Sequence, residues 1–192
     1  MPSEKRIEEL LARGDARGAA TEAVRSLGPR ILGYLHAILR DESDAGEAFS
    51  IFAESLWRGL PGFRGECAFR TWAYKLAWNA ALRLRDDAYR RRGRRLGSTE
   101  ASRLADEVRT RSAVRRERQS AALERLRAGL TPEEQSLLVL RIDRDLSWRE
   151  VAIVLEEEQG EPVEEAALRK RFERVKERLV RLARDEGLVG EE

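Results

Sequence analysis

Apolar residues in this chain recur every three or four positions. No stretch alternates with period two long enough to make a strand. Phe69, Trp72, Ala73, Leu76, Ala77, Ala80 and Leu84 keep that spacing, as do Leu168, Phe172, Val175, Leu179 and Leu182. Ala, Leu, Arg and Glu dominate, and β-branched residues are few. The pattern predicts an all-α chain.

Breaks and caps divide it. Helices are expected over about 3–13, 15–40 (with Gly28-Pro29 as a candidate break), 41–60 and 66–92. Leu60-Pro61-Gly62-Phe63-Arg64-Gly65 sets one aromatic between Pro and Gly and predicts a loop. Residues 93–102 read as a linker, and the charged stretch 103–118 as partly helical. Thr131-Pro132-Glu133-Glu134 and Ser147-Trp148-Arg149-Glu150 are capping boxes. They predict a helix over 131–143, a tight turn, and a short helix from Ser147 to about Glu156, before the last helix. The expected architecture is two small helical domains, 1–92 and 119–192, joined by a flexible linker over 93–118.

Several function classes drop out. A single Cys excludes an internal disulfide, and one Cys with one His cannot supply an ordinary structural zinc site. No apolar run is long enough for a membrane span, and the start MPSEKRIEELLARGD lacks the apolar segment of an export signal, so a cytoplasmic protein with no membrane partner is expected. His36 sits beside Leu35 and Ile38 and reads as structural, and Cys67 as a plain free thiol. No nucleophile–base pairing, phosphate-cradling glycine loop or metal spacing occurs, so neither an enzyme nor a cofactor is expected.

Charge carries more information. The formal net charge is only +2, yet it hides blocks of opposite sign. Residues 41–60 hold five acids against Arg58, and 156–165 hold six acids and no base. Residues 61–95 hold ten bases against three acids, and 168–184 hold eight against two. An Arg-rich helix face is often no more than solvated surface. Two such faces, each beside a nucleic-acid-binding pattern, point instead to two contacts with a polyanion.

One pattern is a helix-turn-helix, whose second helix would lie in a major groove and present Arg and Lys to phosphates and bases. An ordinary three-helix bundle is the plain alternative. The other is the middle helix with its loop. There Phe63, Phe69, Trp72, Tyr74 and Trp78 interleave with Arg64, Arg70, Lys75, Arg83 and Arg85, as single-stranded nucleic acid requires. The spacing assigns Phe69 and Trp72 to the core. It leaves Phe63 and Asn79 as the better exposed candidates.

The stretch from Phe63 to Asn79, FRGECAFRTWAYKLAWN, resembles conserved region 2 of bacterial RNA polymerase sigma factors, most of all the small extracytoplasmic-function (ECF) class. Asp44-Ala45-Gly46-Glu47 is similar to that family's Asp-Ala-Glu-Asp. Leu130 to Gln135, Leu146 to Ala152 and Ala167 to Lys176 are similar to its region 4. The resemblance implies a non-enzymatic factor that binds core RNA polymerase and gives it promoter specificity.

Asp44, Glu47, Ser50 and Glu54 would then meet the clamp helices of the largest polymerase subunit. Phe63, Arg64, Glu66, Lys75, Asn79 and Arg83 would read and melt the −10 element. Ser147, Trp148, Arg149, Arg169, Lys170, Arg171, Arg174 and Lys176 would read the −35 duplex. The linker would thread towards the RNA exit channel, and an anti-sigma factor could be a further partner. The chain departs from the family at Gly46-Glu47, at Ser50, at Arg83 and in the longer acidic stretch Glu156 to Val163, which is expected to point away from the duplex, towards polymerase or a regulator. Two other functions fit the residues less fully. They are an operator-binding regulator that acts without polymerase and a sigma-like protein-binding antagonist.

Overall fold

The computed structural model describes residues 2–90, 129–156 and 162–185. All regular elements among them are helical. The first four helices are α1 (Pro2–Ala12), α2 (Ala16–Leu39), α3 (Glu42–Gly59) and α4 (Phe69–Arg90), with a 3₁₀ turn at Leu60–Gly62. After residue 129 come α5 (Pro132–Leu138), continued by a π turn at Val139–Asp143, then α6 (Trp148–Leu155) and α7 (Glu165–Asp185). The linker expected over 93–118 lies outside the described residues.

The helix starts are chemical. Asp15 and Asp41 cap α2 and α3 by accepting from the backbone N–H groups of Gly18 and Asp44. Both capping boxes are formed: Thr131 pairs reciprocally with Glu134, and Ser147 with Glu150. Ser147→Ala is expected to cost about 1 kcal/mol of stability, checked by urea denaturation. A cost near zero would show that the box does not hold α6.

Pro29 does not break α2. Proline removes the partner of the Arg25 carbonyl, but Pro29 and Arg25 are both on the exposed side, where water can replace that bond. The helix expected to begin at 66 begins at Phe69. Gly65, at φ +72°, holds a left-handed turn just before it, a conformation that glycine adopts without steric cost. Asp145 takes a similar φ of +51° in the turn between α5 and α6, which a short polar side chain tolerates.

A single core runs through both ends of the chain. Helices α2, α3 and α4 pack around Leu35, Phe49, Phe52, Ala73 and Ala77. Leu137, Leu140, Val151, Val154, Leu168 and Phe172 extend the same cluster. Helix α5 lies on α2, and α6 lies on α4, so the C-terminal helices sit directly on the N-terminal bundle. The buried Tyr34 hydroxyl on α2 is hydrogen-bonded to Ser136 on α5. Burial raises the pKa of that phenol well beyond its ordinary value, so it remains a neutral hydrogen-bonding group.

Candidate nucleic-acid interface

Helix α7 carries the expected stripe. Leu168, Phe172 and Val175 are buried against α5 and α6. Leu179 and Leu182 are half-buried, and Ala183 closes the stripe. A 3.6-residue period then puts Lys170, Arg174 and Arg181 on the opposite face, with Arg171 on its flank. These four side chains are exposed and, among the described residues, make no ion pair. Arg178, on the same helix, is tied to Glu134 at 3.2 Å and to the Gly129 carbonyl.

Four of the residues expected at the duplex make contacts within the protein. Trp148 is half-buried and meets the Phe172 ring edge-on at 5.3 Å, wedging α6 against α7. The guanidinium groups of Arg141 and Arg169 lie over its ring at 5.3 and 5.5 Å. Arg169 also pairs with Glu165, and Lys176 pairs with Glu173. Ser147 is engaged in its capping box, and Arg149 is exposed.

The second surface is a cleft of about 580 Å³. Phe63, Arg64, Glu66 and Lys75, all expected at one nucleic-acid site, line one wall beside Trp72. Phe63 is half-buried rather than fully displayed. Its ring packs on Phe69 and Trp72, with centroids 5.4 and 5.1 Å away. Phe69 is buried as expected, whereas Trp72 keeps an exposed edge towards the cleft. Asn79 is half-buried further along α4, and Arg83 is exposed.

The other wall comes from α6 and its C-terminal cap, through Ile153 and Glu156. Glu156 bonds Lys75 at 2.9 Å. Glu150 accepts from the Thr71 hydroxyl at 3.0 Å and from Arg70 at 3.3 Å. Arg85 pairs with Glu133 at 2.8 Å. Three carboxylates from the C-terminal segment thus hold cations of α4. The first residue of the acidic stretch, which was expected to point away from the duplex, turns onto the middle helix. Residues 157–161 lie outside the described residues. Sequence reasoning missed this contact because Glu150 and Glu133 were legible only as capping residues, and nothing local to a cap shows what else its carboxylate meets.

Acid should loosen this contact. Burial pushes the Glu150 carboxyl up, but the Ser147 backbone and hydroxyl, the Thr71 hydroxyl and Arg70 together outweigh it and hold it below its ordinary 4.5. Glu133 is held low in the same way, desolvation being overcome chiefly by Arg85 and by hydrogen bonds at the helix start. A depressed folded-state pKa stabilises above the unfolded value and is lost as pH falls through the folded one. The radius of gyration, measured by X-ray scattering, should be flat above about pH 5 and rise between about pH 4.5 and 3. A constant radius down to pH 3 would contradict these carboxylates' role.

The expected polymerase-facing residues share α3. Asp44 and Glu47 are exposed. Ser50 donates to the Gly46 carbonyl, and Glu54 is half-buried beside Arg58 at 3.6 Å. Cys67 is partly covered, and burial raises its pKa, so the thiol stays protonated. Among the described residues there is no cluster of metal-ligand type, and no described helix is long and apolar enough to cross a membrane.

No curated protein matches the chain. Residues 23–95 match the family model for Sigma-70 region 2, a span that contains α3, the aromatic loop and all of α4. Proteins with this region bind core RNA polymerase and promoter DNA. The match covers somewhat more than a third of the chain and makes that span similar to region 2 of the sigma-70 factors, which are non-enzymatic transcription initiation factors.

Proposed function

We propose that this chain is an alternative sigma factor of the ECF class, cytoplasmic, with a region 2 domain over 1–92, a linker over 93–118 and a region 4 domain over 119–192. The observation that carries this reading is one of order. A region 2 match is followed by a capped helix-turn-helix whose last helix keeps an uncovered basic face. Exposed acids on α3 suit a basic docking surface on polymerase, and the cleft beside Phe63 suits a base of the melted −10 strand. The basic face of α7 suits the −35 duplex.

The packed arrangement adds a condition. Glu150 and Glu156 hold Arg70 and Lys75 where nucleic-acid phosphates would otherwise sit, so −10 reading requires α6 to leave α4. An anti-sigma factor that holds the two halves together would act on the same equilibrium.

Core polymerase with this protein should initiate transcription from a discrete subset of genomic fragments, mapped by the 5′ ends of the transcripts. Initiation indistinguishable from that of core enzyme alone would overturn the reading. Operator protection without initiation would favour a polymerase-independent regulator.

A further inference from the structure

A second pocket, of about 230 Å³, opens on another side of α4. Arg30 of α2, Arg70 of α4 and Arg144 of the α5–α6 turn line it, with Tyr74 of α4 among them. Tyr74 is 3% exposed, and its ring meets Tyr34 edge-on at 5.4 Å. Its hydroxyl is buried and faces the Arg144 guanidinium, without a hydrogen bond of good geometry to any group. The Arg144 Nε–H group is also buried without a hydrogen bond of good geometry, while its outer nitrogens reach the carbonyls of Arg30 at 3.4 Å and Asp143 at 3.3 Å. Among the described residues neither Arg30 nor Arg144 forms an ion pair, and Arg70 already shares Glu150.

Buried donors are rarely left unmatched. Here a phenol hydroxyl stands among three guanidinium groups around one cavity, and one of those groups has its own Nε–H poorly matched. Glu4 and Asp143, also at the pocket, offset part of the charge and leave the lining at a formal +1. A planar guanidinium fits tetrahedral oxyanions through paired N–H donors, and a phenol adds a single directed donor.

We propose that this pocket binds a phosphate group, either free phosphate or the terminal phosphate of a nucleotide, held by Arg30, Arg70 and Arg144 with the Tyr74 hydroxyl inside the pocket. The inference does not depend on the sigma-factor reading. Arg144 follows α5, whereas the other three residues belong to the N-terminal bundle. A phosphate here would therefore tie the two parts of the molecule together and favour the packed arrangement.

The test is a phosphorus-31 NMR titration of the full chain with inorganic phosphate, and separately with ATP, at constant ionic strength. Saturable binding is expected with both. Tyr74→Phe, which keeps the ring, and Arg144→Gln should each weaken it by about tenfold or more, and Arg6→Gln should not. If Tyr74→Phe fails to fold by circular dichroism, Arg144→Gln alone decides. Tighter binding of ATP with the same variant sensitivity would assign the phosphate to a nucleotide, and equal binding would assign it to the free ion. Dissociation constants weaker than about 10 mM for both probes would overturn the proposal. So would affinities unchanged in the deciding variants, or a sensitivity confined to Arg174→Gln on α7.

Discussion

Replacing Arg171 and Arg174 together by alanine is expected to weaken binding to a −35 duplex by roughly thirtyfold to ten-thousandfold, because each lost base-specific contact costs about 1–3 kcal/mol. The expectation rests on the availability of these side chains. Both are exposed, and neither is drawn into an ion pair as Arg169, Lys176 and Arg178 are. Their removal leaves Leu168, Phe172 and Val175 in place, so α7 should still fold against α5 and α6. Binding to core polymerase should be unchanged. The pattern of loss also separates two roles. A base contact relaxes preference at one position, whereas a phosphate contact weakens all sequences alike and reduces the salt slope by about 0.9 per phosphate. A loss of less than about threefold in fluorescence anisotropy would remove α7 from the duplex.

Reversing Asp44 and Glu47 to lysine is expected to have the opposite selectivity. Both acids are exposed on α3, beside the buried Ala45, Gly46 and Ala48. The helix can accept new side chains there without disturbing Phe49 or Phe52 beneath it. Juxtaposed like charges at an interface cost several kcal/mol, so polymerase affinity should fall by about a hundredfold or more. One internal cost is foreseeable: Asp44 lies in the first turn of α3, where a negative charge is favoured by about 0.3–1 kcal/mol. A double Asn/Gln variant carries less of that cost and should lose less affinity. If the lysine changes weaken −35 binding as much as polymerase binding, the two activities do not lie on separate surfaces.

The helices were legible in the sequence wherever the signal was local. Both capping boxes formed at the residues that spell them, because reciprocal hydrogen bonds at a helix start need only four consecutive residues. The α7 stripe was legible because its period matches the helix. Departures arose where solvent or a distant partner decides. Pro29 lies on an exposed face and leaves α2 continuous. Trp148 is half-buried with its ring edge-on to Phe172, which belongs to a helix that starts ten positions after α6 ends.

The candidate site was half legible. Phe63, Arg64, Glu66 and Lys75 do meet at one cleft, because a loop and the first turns of the following helix are close in any fold. The opposing wall was not legible. Glu156 lies 81 positions from Lys75, and Arg144 lies 114 from Arg30. No periodicity reports a contact at that separation. Segregated charge gave only a general warning: an acidic stretch and a basic helix in one chain can neutralise each other before either meets a partner.

The most direct measurement mixes the purified chain with sigma-free core RNA polymerase and separates the mixture by size in moderate salt. Comigration is expected, displaced by an excess of the housekeeping sigma factor and lost in the Asp44→Lys, Glu47→Lys variant. A chain that elutes apart from polymerase, yet binds duplex DNA tightly on its own, would contradict the sigma-factor assignment and make it a polymerase-independent regulator.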